Sequence, residues 1–72
     1  PTNTQWQRDL SVSHSKMGDL ARAREDLTSA TGHYQAGLDI TTKLAAADPT
    51  NTQWQDLDRA AQQKLDETRA PQ

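Results

Sequence analysis

Pro1-Thr2-Asn3-Thr4-Gln5-Trp6-Gln7 recurs without change as Pro49-Thr50-Asn51-Thr52-Gln53-Trp54-Gln55. Seven identities in a row, one of them a tryptophan, do not arise by chance in a chain of 72 residues. The offset from Pro1 to Pro49 is a period of 48 residues, in the range that marks stacked helical units. Beyond this word the copies diverge, although Lys16 and Lys64 keep the same phase, as do Met17 and Leu65. The chain, a single domain over 1–72, divides into one complete unit, 1–48, and the first half of a second, 49–72.

Working outward from the repeated word, each half-unit reads as a helix. Thr4-x-x-Gln7 and Thr52-x-x-Gln55 have the form of a capping box, with Asn3 and Asn51 as alternative caps. Trp6, Leu10, Ser13, Met17 and Leu20 then follow in steps of four and three along one helical face. A second stripe runs through Leu27, Ala30, Tyr34, Leu38, Thr41 and Leu44, and ends by Asp48 because Pro49 disfavours helix at the residue before it. The third comprises Trp54, Leu57, Ala61, Leu65 and Thr68. No segment alternates with period two. The pattern predicts an all-α domain of three antiparallel helices at about 4–24, 26–47 and 51–69, joined by short turns.

Composition narrows what such a domain does. Beyond its alanines the chain has few larger apolar side chains, so its core is thin and leaves little room for a deep catalytic pocket. Lys and Arg total 8 against 10 Asp and Glu, for a net charge of −2, and no basic footprint for nucleic acid is present. The three successive 24-residue thirds carry +2, −3 and −1, which suits the first and second to pack as neighbours. The longest apolar stretch is too short to span a bilayer. There is no cysteine, which excludes disulfides and thiolate metal sites and fits a cytoplasmic setting. The first residue is Pro, without a signal-like apolar segment, as expected of a piece of something longer.

Gly18, Ala30, Tyr34 and Gly37 stand in the spacing Gly-x11-Ala-x3-Tyr-x2-Gly. This resembles the tetratricopeptide repeat, whose helix pair carries Gly, Ala, an aromatic and a second small residue at these intervals, followed by Pro. Glu25-Asp26-Leu27 stands where the family has Gly-Asp/Asn-Tyr/Leu, so the turn glycine is missing. Pro49 falls two helical turns later than the family's Pro, in keeping with a 48-residue rather than a 34-residue period. The unit from Trp6 to Pro49 is similar to the extended repeats of bacterial tetratricopeptide-type proteins. The resemblance implies a helix hairpin plus a third, capping helix of a right-handed solenoid. Its small residues would let the helices approach closely, with the aromatic wedged between them.

The same resemblance implies a non-catalytic protein-interaction module, in which successive first helices line a groove for a peptide or protein. The first-helix face away from the Trp6/Leu10/Met17 stripe supplies Val12, Ser15, Lys16, Asp19 and Arg22. The third helix adds Ala60, Gln63, Lys64 and Glu67. Lys16 and Lys64 would stand side by side for an acidic group. Ser15 and Asp19 stand where a carboxylate clamp has a basic residue and Asn, which argues against that clamp. Trp6, Gly18, Ala30, Tyr34, Gly37, Leu38 and Trp54 are read as packing residues. The alternative is a structural spacer, cap or self-association element of a longer array, since a bare apolar face on the first helix invites homo-oligomers.

Chemistry-bearing motifs are sparse. His14 and His33 lie on different helices with no carboxylate or cysteine at ligand spacing. Asp56-x-Asp58 lacks the glycine and late glutamate of a calcium loop. Ser11, Ser13 and Ser15 form no nucleophile elbow, and no glycine-rich phosphate loop is present. No catalytic residue, metal site or cofactor is expected, and neither nucleic acid nor membrane as a partner.

Overall fold

The computed structural model describes residues 2–69, with side chains from Thr4 onward. It contains α1 (Thr2–Ala23), α2 (Leu27–Ala47) and α3 (Thr52–Arg69), with no strand among the described residues. The predicted ends are met to within two residues. Asn3, the alternative first cap, lies outside the described side chains, and the tail at 70–72 outside the described residues.

The turns show why the helices stop where they do. At the end of α1, Asp26 N–H donates to the Ala21 carbonyl (2.9 Å) and Glu25 N–H to that of Arg22 (2.9 Å). This pair of bonds closes a helix through a residue in the left-handed region, usually glycine. Here the missing turn glycine is replaced by Glu25, at φ 62°. Asp26 then caps α2, its carboxylate accepting from Ser29 N–H at 3.1 Å. The Ser29 side chain first, and this backbone bond second, hold the Asp26 carboxyl below its ordinary range.

The capping boxes are corrected at both ends. Thr4 already lies inside α1, and Thr52 is the first residue of α3. Asn51 is the cap instead: its Oδ1 accepts from Gln53 N–H at 2.9 Å and Trp54 N–H at 3.3 Å. Gln55 does not reach back to a cap. Its amide donates to the carbonyls of Ala45 (3.2 Å) and Pro49 (3.4 Å), and so latches the start of α3 to the end of α2.

Packing centres on α2. Contacts between α1 and α2 pair residue 18 with 34 and residue 11 with 37. Those between α2 and α3 pair Thr41 and Thr42 with Asp58, and Ala45 with Gln55. In both cases one number rises as the other falls, the order of antiparallel neighbours. Ala30, Tyr34, Leu38 and Leu65 form the buried cluster, with Ala21 and Ala61 packed against it. Thr41, Leu44 and Thr68 extend the burial along the stripes predicted for α2 and α3, and Ala45 is buried beside them although outside the predicted stripe. Leu27, at the start of α2, lies outside it and is exposed.

The predicted stripe of α1 is overturned. Trp6 is 64% exposed, Met17 41% and Leu20 55%, so Trp6 is not a packing residue among the helices present. What α1 turns toward α2 is its small face, with Ser11 and Gly18 buried and Ala21 partly so. The reason is steric. A Cβ at Gly18 would sit 2.5 Å from Cε1 of Tyr34, and one at Gly37 would sit 3.3 Å from the Ser11 carbonyl oxygen. The bulky α2 aromatic needs a hole, and only the small face of α1 supplies one.

The glycines give a paired prediction. Gly18→Ala should destabilise the chain by about 1–2 kcal/mol, because overpacking against a buried ring outweighs the helix-propensity gain. Gly32 has nothing within 4 Å of its added Cβ, so Gly32→Ala should stabilise by about 0.5–1 kcal/mol. Thermal melts by circular dichroism should therefore move in opposite directions, by about 4–8 °C per kcal/mol. Glu25→Gly, which relieves the left-handed strain, should raise stability by about 0.5–1 kcal/mol in the same melts.

Candidate binding cleft between the first and third helices

The small residues that let α1 and α2 close up leave a gap beside α3. A cleft of about 260 Å³ opens there, floored by Tyr34, Gly37 and Thr41 of α2. Ser11, Val12 and Ser15 form one wall, and Leu57, Ala60 and Ala61 the other. No large side chain fills the middle, because both walls carry short residues where α1 and α3 face each other. The lining is mainly apolar, and the space suits one or two side chains rather than a cofactor, whose sites run to about 300–1,000 Å³.

One end of the cleft is closed by a polar network. Tyr34 donates its hydroxyl to Asp19 in a short hydrogen bond. Lys64 reaches across from α3 and donates to both Asp19 oxygens (3.1 and 3.3 Å) and to Ser15 Oγ (3.2 Å). Its ammonium also lies 5.9 Å from the centre of the Tyr34 ring, within cation–π range. The Tyr34 hydrogen bond is the first cause holding the Asp19 carboxyl below its ordinary 3.8, and Lys64 adds to it. Burial, followed by the same Asp19 bond, raises the Tyr34 hydroxyl, so it stays a donor. Beyond this network Arg22 pairs with Glu67 at 3.6 Å. The interhelical ion pairs thus join α1 to α3, whereas the charge balance of the sequence points to α1 and α2.

The cleft gathers six of the nine residues proposed from sequence for the groove: Val12, Ser15, Lys16, Asp19, Ala60 and Lys64. Arg22 and Glu67 are taken up with each other. Gln63 points elsewhere and donates to Glu67 at 3.2 Å on the outer side of α3. Lys16 and Lys64 do not form a pair of equal cations. Lys64 is bound to Asp19, whereas Lys16 is exposed at the rim and makes no ion pair among the described residues. Sequence reading misses the floor, since Tyr34 and Gly37 are assigned to packing and Thr41 to the apolar stripe. The signal present was the excess of short residues at Ser11, Gly37, Ala60 and Ala61.

His14 and His33, distant in sequence, come together at the α1–α2 boundary, with ring centres 5.8 Å apart. His14 Nδ1 is buried there without a hydrogen-bond partner. Among the described residues no group of three or more His, Cys, Asp or Glu is placed to hold a metal ion. No helix among them is long and apolar enough to cross a membrane.

The sign of the pH effect at Asp19 follows from its lowered value. A depressed carboxyl adds stability above its unfolded value, near 3.8, and loses it as pH falls through the lower folded value. Asp19→Asn should therefore cost about 1 kcal/mol at neutral pH, a modest figure because the group is half exposed. The gap between the two proteins should close as pH drops below about 3.8 in urea titrations at stepped pH.

Compared with protein-family models, curated proteins and solved structures, the chain matches none.

Proposed function

We propose that the chain is a non-catalytic, tetratricopeptide-like interaction module that holds an extended peptide in the cleft between α1 and α3. The observation that carries this reading is the cleft itself: a wall of short side chains from α1, an apolar wall from α3, and one exposed cation, Lys16, at the rim. A small apolar side chain of the peptide enters between Val12 and the Leu57/Ala60 wall. An acidic neighbour in the peptide meets Lys16. Lys64 has a different part, because its charge is already met by Asp19; it holds α1 and α3 at the spacing that keeps the cleft open. The tetratricopeptide reading is supported by Tyr34 seated over Gly18 and by the helix hairpin followed by a third helix. Within that reading α3 serves as the first helix of a second unit, its outer side polar as a capping helix requires.

Panning a displayed library of random peptides on the chain tests this. Recovered peptides should carry an acidic residue beside a small apolar one. Lys16→Glu should weaken their binding about 5–10-fold at low salt and less at moderate salt, since an exposed charge contact is screened. Ala60→Trp, at an exposed wall position, should fill the cleft and abolish binding while leaving the helical signal intact. Peptides that bind both variants as well as the parent would place the contact elsewhere and refute the cleft.

A further inference from the structure

The repeated word has visible work to do at its second occurrence. Between α2 and α3, Pro49 ends one helix, Asn51 caps the next, and Gln55 latches the new helix to the carbonyl of Ala45. Trp54 sits half-buried at the joint. These are the tasks of a junction between two packed helices. In the first copy Thr2–Gln7 form the opening turns of α1, where Trp6 and Gln7 are exposed.

The register extends along the whole helix. Shifted by 48 residues, Trp6, Ser13, Met17 and Leu20 fall on Trp54, Ala61, Leu65 and Thr68. The latter four are the face by which α3 packs on α2, with Leu65 only 1% exposed and Thr68 buried. The former four are the face α1 leaves open. An apolar face of this kind is unusual on a monomer surface and marks a contact.

We infer that the Trp6/Met17/Leu20 face of α1 is a docking site for a helix of the α2 type, supplied by a preceding 48-residue unit and joined through the Pro1–Gln7 word. The incoming helix brings a stripe like Ala30, Leu38, Thr41 and Leu44, which is complementary to this register in α3. Gln7 takes the carbonyl that Gln55 takes from Ala45. Apart from Trp6 the face is similar rather than identical, with Ser13, Met17 and Leu20 for Ala61, Leu65 and Thr68, and Asp9 stands where α3 has Leu57. Leu10 stands where Asp58 accepts from Thr41 and Thr42. An incoming Thr41 keeps a partner regardless, because its hydroxyl also donates to the Leu38 carbonyl at 3.0 Å. A second copy of the whole chain is a poorer occupant, because its α2 stripe is already covered by its own α3. The inference does not depend on what the cleft holds, as the docking face lies outside the cleft lining.

The test is a tandem chain in which residues 1–48 are placed directly ahead of the full 72-residue chain. The junction then reads Asp48-Pro1, repeating the Asp48-Pro49 link and the seven residues after it. With the other tryptophans changed to Phe, the internal Trp6 is read by iodide quenching. Its quenching constant should fall to that of Trp54 measured alone in the single chain. Met17→Asp in the internal unit should lower the melting temperature of the tandem and restore quenching, yet leave the single chain's melt unchanged, where Met17 is exposed. A folded tandem whose internal Trp6 quenches as in the single chain overturns the inference, as does an equal effect of Met17→Asp in both proteins. A single chain that dimerises and protects Trp6 by itself would make a second copy the occupant and also overturn it.

Discussion

The ring of Tyr34 occupies the space that a side chain at residue 18 would need, and the rest of the molecule follows from that contact. It sets the separation and the rotation of α1 against α2, because only the small face of α1 admits the ring. The same seating brings the Tyr34 hydroxyl to Asp19, and Asp19 in turn meets Lys64 from α3. One aromatic side chain thus relates all three helices. The rotation has a second consequence. It turns the larger apolar residues of α1 outward, so the helix meets its neighbour with glycine, serine, alanine and His14 and keeps Trp6, Met17 and Leu20 free.

A core this thin is helped by local bonds that leave few buried polar atoms wanting. Thr41 donates to the Leu38 carbonyl, and Thr68 to that of Lys64, so both hydroxyls are buried without an orphaned donor. Ser11 does the same with Arg8. Among the described residues the exception is His14, whose buried Nδ1 has no partner. At the α2–α3 joint, Asn51 and Gln55 satisfy backbone groups that a helix end leaves open. These residues belong to the repeated word, and in its second copy Pro49, Asn51 and Gln55 stop, cap and latch.

α1 consequently carries two faces with different chemistry. Its small, polar face shares the cleft with α3, where short side chains leave space and Lys16 remains unpaired among the described residues. Its apolar face lies outside that cleft lining, in register with a face that is buried one period later. The proposed binding in the cleft and the proposed stacking of units therefore call on separate faces of one helix.

Helix number, the helix limits and the α2 and α3 stripes were legible in the sequence because they depend on local rules: period, proline and the repeated word. The seating of Tyr34 at Gly18 was anticipated only through the resemblance of Gly-x11-Ala-x3-Tyr-x2-Gly to the tetratricopeptide spacing. The orientation of α1 was not. Its most apolar stripe was the natural choice for the core, yet a helix is rotated by the shape of what it packs against, and Tyr34 selected the small face. Nor did the charges predict their partners: Lys64 looked as free as Lys16, and only the approach of α3 brought Asp19 within 3.1 Å of it. Local signals specify where helices begin, end and repeat. Which face meets which, and which charge is left unpaired, depends on contacts between residues far apart in the chain, and only the tertiary structure decides them.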